Sequence, residues 1–146
     1  MTKINVNNEY TFLLLLITEF TIRKKLPIFS LSELEKELYS FYINEDYQAL
    51  FLGIGSKMDE QKILCINLAK GYKSALDMGL LTQLLDKKFL IHLKIEEALE
   101  YQRCFEENAV SLMQDLCDEY FSLGKDYDWK KHHLIRTCKH KLSNSK

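Results

Sequence analysis

The stretch ALDMGLLTQLLDKKFLIHL, residues 75–93, decides the fold. It joins the end of an apolar helical pattern to Gly79, which stands where a helix commonly ends in the left-handed conformation. Two apolar runs follow, and the polar residues 86–88 separate them. Apolar runs on either side of a short polar turn are typical of a β-hairpin. We therefore expect a helix that ends near Met78, followed by a β-hairpin over 80–93.

Three helices are predicted before this hairpin. Helix one, over 9–24, is apolar nearly all round, which is typical of a helix at the centre of a core. Pro27 ends it, and Ser30-Leu31-Ser32-Glu33 forms a capping-box pattern at the start of helix two. Helix three is predicted over 59–78 from a buried stripe that includes Leu64, Leu68 and Tyr72. Residues 42–58 are predicted to be a connecting segment, in which 47–52 could form a helical turn or a strand.

After the hairpin, apolar positions at helical spacing predict one long helix over 95–121. Its apolar stripe is wider than one small domain is expected to cover, and large exposed apolar patches are rare in monomers. We therefore predict a homodimer, with an interface formed by Phe105, Ala109, Leu112, Met113, Leu116 and Tyr120. The chain would then consist of a domain over 1–94 and a helical extension over 95–146, which ends in a short basic helix over 129–142.

Composition favours a mainly α-helical protein, since 146 residues contain only one Pro and five Gly. The four cysteines form no CxxC pair, which indicates free thiols in a reducing compartment. The apolar run at 12–17 is far shorter than the roughly 20 residues of a membrane span. We expect a cytoplasmic protein without a membrane partner.

The net charge of −1 conceals an uneven distribution. Residues 61–90 carry five basic and two acidic side chains, and residues 125–146 carry seven and two. Residues 31–60 and 91–124 are strongly acidic. Any contact with nucleic acid is therefore expected in the middle segment or the tail.

The order helix, short strand, capped helix, helix, hairpin resembles the winged helix-turn-helix superfamily. The resemblance covers residues 9–93 and is carried by Ser30-Leu31-Ser32-Glu33-Leu34 and by Ala75-Leu76-Asp77-Met78-Gly79-Leu80-Leu81. It implies a mainly α fold, a winged-helix-like domain with one β-hairpin and a long C-terminal helix. The link between helices two and three departs from the pattern, because it exceeds the usual turn of about 3–4 residues.

The resemblance also implies that helix three reads the major groove of double-stranded DNA and that the hairpin tip lies near the backbone. The candidate nucleic-acid-binding residues are Lys62, Asn67, Lys70, Lys73 and Ser74 on the helix, and Lys87 and Lys88 on the hairpin. Lysine can hold phosphates, and asparagine can pair bidentately with adenine. An ordinary solvated helix face is the alternative interpretation of the same residues.

No catalytic centre, cofactor site or metal site is predicted. Gly53-Ile54-Gly55-Ser56-Lys57 lacks the frame of a P-loop or a nucleophile elbow. His132, His133, Cys138 and His140 match no common zinc spacing. The leading hypothesis is thus a dimeric DNA-binding transcriptional regulator. The alternative is a module that binds a basic protein partner without DNA, such as an antitoxin-like inhibitor, a phage or plasmid accessory protein, or a complex subunit.

Overall fold

The computed structural model describes residues 2–122, which combine helices with small antiparallel sheets. The helices are α1 (Glu9–Ile22), α2 (Leu31–Tyr42), α3 (Ala69–Asp77), α4 (Ile95–Cys104) and α5 (Glu107–Phe121). The strands are β1 (Ile28–Ser30), β2 (Gly55–Met58), β3 (Leu64–Asn67), β4 (Leu81–Gln83) and β5 (Lys88–Ile91). A 3₁₀ helix occupies Glu45–Leu50, and a tight turn occupies Leu85–Lys87.

Helix α1 lies at the centre of the core, as its apolar composition predicts. Every residue from Phe12 to Phe20 is buried, and α3, α4 and α5 all pack against the helix. Asn8 caps its first turn by accepting a hydrogen bond from the Thr11 amide at 2.8 Å. At the other end Lys24 adopts the left-handed conformation, and the Lys25 amide donates to the Phe20 carbonyl at 2.9 Å. This arrangement satisfies the terminal carbonyls and turns the chain toward β1.

The hairpin predicted over 80–93 is confirmed. Strands β4 and β5 pair antiparallel, and β1 pairs with the other edge of β5, so the sheet has the order β1-β5-β4. Phe29 and Phe89 face each other across β1 and β5, with ring centroids 6.0 Å apart. Tyr72 of α3 meets the ring of Phe89 edge-on at 4.1 Å, which fixes α3 against this sheet.

The prediction of a helix over 59–78 is wrong in its first half. Residues 64–67 form strand β3, which pairs antiparallel with β2 in a second hairpin, and α3 begins only at Ala69. Strand β3 buries Cys65 and Ile66 in succession, so the local pattern fits two apolar faces of a strand. The spacing of Leu64, Leu68 and Tyr72 imitated a helical stripe across a strand–helix junction.

Helix α2 holds the second hairpin through charged side chains. Glu35 is buried, and its carboxylate lies 3.2 Å from Lys57 Nζ and accepts a hydrogen bond from the Leu68 amide at 2.8 Å. Lys36 pairs with Asp59 at 2.9 Å. The acidic face of α2 is therefore partly used inside the chain.

The single long helix over 95–121 is also wrong. The helix is interrupted at Phe105, whose backbone is extended and whose side chain is buried. Residue Ile4 bridges to this break, where its amide donates to the Cys104 carbonyl at 2.7 Å and its carbonyl accepts from the Glu106 amide at 2.8 Å. Helix α5 then packs against α1 and the 3₁₀ helix Glu45–Leu50, and the apolar stripe is divided between two helices.

This break corrects the proposed dimer interface. Phe105, Met113, Leu116 and Tyr120 are buried in the core of one chain, while Ala109 and Leu112 are half-buried against the same core. The first four cannot form an interface between copies, because the surface they were expected to present is already covered. Residues 95–122 also share one core with the preceding part, so the boundary expected at 94 separates no second core within 2–122. The predicted basic helix over 129–142 lies outside the described residues.

Candidate nucleic-acid interface

The amide groups at the start of α3 are all satisfied within the chain. Glu35 accepts from the Leu68 amide, and the Asn67 side chain accepts from the Ala69 amide at 3.1 Å. Glu9 Oε1 accepts from the amides of Lys70 at 2.9 Å and Gly71 at 3.3 Å. Two carboxylates thus lie where a helix terminus would otherwise attract an anion. Any phosphate contact of α3 must come from its side chains.

Glycine at position 71 allows α3 to cross α1 closely. A β-carbon there would lie 2.5 Å from the backbone carbonyl of Glu9 and 2.8 Å from the Tyr10 nitrogen. No such contact is tolerated between a β-carbon and backbone atoms, so a larger residue must push the two helices apart. This crossing determines which side of α3 faces solvent.

The solvent-facing side of α3 carries two lysines. Lys70, Lys73 and Asp77 are exposed, Ser74 is half-buried, and Gly71 and Ala75 face the core. Three of the candidate residues, Lys70, Lys73 and Ser74, therefore lie on one helix at positions that DNA could reach.

The β4–β5 hairpin presents a second basic group. Lys87 and Lys88 are exposed at its tip, beside Asp86. Asp86 and Lys87 both adopt the left-handed conformation, and the Leu84 amide donates to the Lys88 carbonyl at 2.7 Å. Lys87 lies in this tight turn, and Lys88 is the first residue of β5, where it pairs with Ser30 of β1.

These four lysines are electrostatically available. Lys36 and Lys57 are engaged in ion pairs with Asp59 and Glu35, whereas Lys70, Lys73, Lys87 and Lys88 form no ion pair within residues 2–122. A lysine without an internal partner gives up no protein contact when it binds a phosphate.

The remaining two candidates lie elsewhere than expected. Lys62 is exposed in the turn between β2 and β3, where Asp59 accepts from the amides of Gln61 and Ile63 at 2.9 and 2.8 Å. Asn67 ends β3, is half-buried, and uses its side-chain oxygen to cap α3. Neither residue lies on α3, so neither belongs to the helix face that was expected to contact the major groove. The polar run Asp59-Glu60-Gln61-Lys62 between Met58 and Ile63 was a hairpin signal that the helical stripe obscured.

The described residues offer little support for a ligand site, a metal site or a membrane span. A surface groove of about 390 Å³ lies at the α4–α5 corner, and its lining includes Lys3, Gln102, Phe105 and Gln114. No group of three or more potential metal ligands occurs within 2–122, and the tail histidines lie outside that range. None of the helices in 2–122 is long and apolar enough to cross a bilayer.

Comparison with known proteins gives no relative for this chain. No family model, no curated protein and no solved structure matches it.

Proposed function

We propose that this chain is a winged-helix DNA-binding protein, acting in the cytoplasm as a transcriptional regulator, in which α3 enters the major groove. The observation that carries the proposal is the joint placement of α3 and the hairpin. Three helices and a sheet of order β1-β5-β4 are compatible with a winged-helix arrangement in which the β2–β3 hairpin is inserted between α2 and α3. The two elements that would face DNA carry four lysines, Lys70, Lys73, Lys87 and Lys88, that form no ion pair within residues 2–122.

In this proposal Lys70 and Lys73 hold phosphates at the edges of the major groove, and Ser74 faces the bases. Lys87 and Lys88 contact the backbone next to the groove. Phosphate contacts position a protein on DNA but do not specify sequence, so base selection would fall to the polar residues of α3. With Asn67 removed from this surface, Ser74 and Asp77 are the polar side chains left to select bases.

The charge balance predicts weak binding with a shallow salt dependence. Residues 2–122 carry 13 basic and 19 acidic side chains, and the other seven lysines and arginines lie in the tail, 125–146. Four phosphate contacts release fewer counterions than the roughly 6–10 contacts of proteins whose DNA affinity falls steeply with salt. Homodimerisation, which remains part of the proposal, would double the number of contacts.

The test measures binding of the full chain to labelled duplex DNA by fluorescence anisotropy across a salt series. The double variant Lys70→Glu/Lys73→Glu should flatten the log–log salt slope by about 1.8 and weaken binding at every salt concentration, since each lost phosphate contact removes about 0.9. The control is Lys24→Glu/Lys62→Glu, which changes net charge equally at two exposed lysines off α3 and off the β4–β5 hairpin. If the two double variants bind alike, α3 is not the DNA-binding surface.

The acidic surface supports a second candidate, a module that docks a basic protein. Helix α4 exposes Glu96, Glu97 and Glu100, and Glu107 is exposed at the start of α5. A negative surface of this kind favours a positively charged partner. If the wild-type chain binds no duplex at low salt, this candidate replaces the first.

A further inference from the structure

A leucine stands at the tip of the β4–β5 hairpin with almost no protein around it. Leu85 is 87% exposed, the highest value among the exposed large hydrophobic residues of 2–122. The residues that follow it, Asp86, Lys87 and Lys88, are also exposed. An isolated apolar side chain between water and charged neighbours contributes nothing to the core.

The hairpin holds Leu85 in a defined position. The Lys88 amide donates to the Leu85 carbonyl, and the Leu84 amide donates to the Lys88 carbonyl at 2.7 Å. One residue further along the strand, Phe89 is buried against Phe29 and Tyr72. The tip is therefore a short turn on an anchored two-stranded base.

We propose that Leu85 is an apolar wedge that enters the minor groove of bound DNA and partly unstacks one base step. This inference rests on the proposed DNA-binding function and adds a specific mode of contact at the hairpin. Leucine is one of the side chains that minor-groove proteins insert between base pairs, which kinks the duplex toward the major groove. Flexible pyrimidine–purine steps would be preferred, because they are the easiest to kink.

The neighbours of Leu85 favour DNA as the occupant. Lys87 and Lys88 have no ion pair within the described residues and lie next to the wedge, where they can hold the phosphates that flank a groove. A membrane surface would also attract lysines, but even a full acyl chain gives only marginal membrane binding. One leucine with two lysines offers much less apolar surface to a membrane than an acyl chain does.

The experiment uses the full chain and duplexes that the wild-type chain selects from a random library, with donor and acceptor dyes at the two ends. Energy transfer reports the bend, and anisotropy reports affinity. Leu85→Ala should lose the bend and bind about tenfold more weakly, because it removes most of the apolar surface that the DNA groove would bury. Leu85→Phe should keep the bend, because phenylalanine is also a wedge residue. The matched control is Ile43→Ala, which truncates a 60% exposed residue at the end of α2 and should change neither signal.

Three results would overturn the inference, and they are distinguishable. If Leu85→Ala binds and bends the duplex like wild type, the wedge is refuted while DNA binding by α3 stands. If wild type selects no duplex at low salt, the proposed function and the wedge fail together. If Leu85→Ala leaves DNA binding unchanged but loses binding to phosphatidylserine-containing vesicles, the hairpin tip serves a membrane surface instead.

Discussion

At the scale of single residues, the contact between Gly71 and the backbone of Glu9 is the tightest constraint on α3. Alanine normally favours a helix by up to about 1 kcal/mol relative to glycine. At position 71, however, the added carbon would lie 2.5 Å from backbone atoms that cannot rotate away. We expect Gly71→Ala to lower the free energy of unfolding by about 1–3 kcal/mol, as overpacking usually does. Urea denaturation measures this change.

Gly55→Ala is the matched control for that variant. A β-carbon at position 55 meets nothing within 4 Å, so alanine should be tolerated there. Equal stability of Gly71→Ala and wild type would mean that α1 and α3 do not cross as closely as described.

Glu19 makes stability depend on pH. Burial raises the pKa of this carboxyl above its ordinary value of 4.5, and hydrogen bonding from Gln102 Nε2 at 2.6 Å and the charge of Arg23 only partly oppose the shift. Since the folded state holds the proton more tightly than the unfolded state, the stabilising contribution is present below the ordinary pKa. It is lost as pH rises through the raised pKa.

Glu19→Gln removes this titration while keeping an oxygen that can accept from Gln102. As pH rises from about 4 to about 7, the stability of the variant should therefore increase relative to wild type. Urea denaturation of both proteins across this range gives the difference directly. A difference that does not vary with pH, or that moves in favour of wild type, contradicts the assignment.

At the scale of elements, Glu35 connects α2 to both the β2–β3 hairpin and the start of α3. Removing its carboxylate leaves the Leu68 amide without its partner in a buried place, so Glu35→Ala should cost about 1–3 kcal/mol. Lys57→Ala removes only the ion pair. Because the lysine side chain is 38% exposed, water can take its place beside the buried Glu35 carboxylate, and we expect a loss of about 1 kcal/mol.

Comparing the two variants by urea denaturation and amide exchange separates these roles. Glu35→Ala should increase exchange at the Leu68 amide, while Lys57→Ala should leave it nearly unchanged. If the two variants are equally destabilised, the carboxylate–amide hydrogen bond is not what secures α3.

The elements that sequence predicts well are those whose signals are local. Ser30 caps α2 by accepting from the Glu33 amide at 3.4 Å, and the β4–β5 hairpin follows its two apolar runs. Strand β3 was missed although its pairing with β2 is local, because the spacing of Leu64, Leu68 and Tyr72 matched a helical stripe. The break at Phe105 was missed for a different reason, since it depends on Ile4, about a hundred residues away in the chain.

Among the candidate site residues, too, the positions that follow from local sequence patterns were predicted and the others were not. Lys70, Lys73, Lys87 and Lys88 lie where helical and hairpin patterns placed them, on exposed positions. Lys62 and Asn67 do not, because their positions depended on where α3 begins. The carboxylates of Glu9 and Glu35 that occupy the start of α3 could not be predicted, since each comes from a distant helix.

At the scale of the whole molecule, the apolar stripe over 95–121 no longer supports a dimer. The stripe that was expected to need a partner is covered within one chain, which leaves only the need for more positive charge on the DNA-binding side. Homodimerisation remains a prediction, and sedimentation equilibrium at tens of micromolar tests it. A single species of 17.3 kDa would refute it.

The placement of DNA on α3 and the β4–β5 hairpin is tested most directly by lysine footprinting of the full chain. An amine-reactive reagent is applied with and without duplex DNA at low salt, and the modification of each lysine is measured by mass spectrometry. We predict that DNA protects Lys70, Lys73, Lys87 and Lys88, while Lys24 and Lys62 react equally in both samples. Protection confined to Lys24 and Lys62, or no protection at any lysine, would contradict the proposed interface.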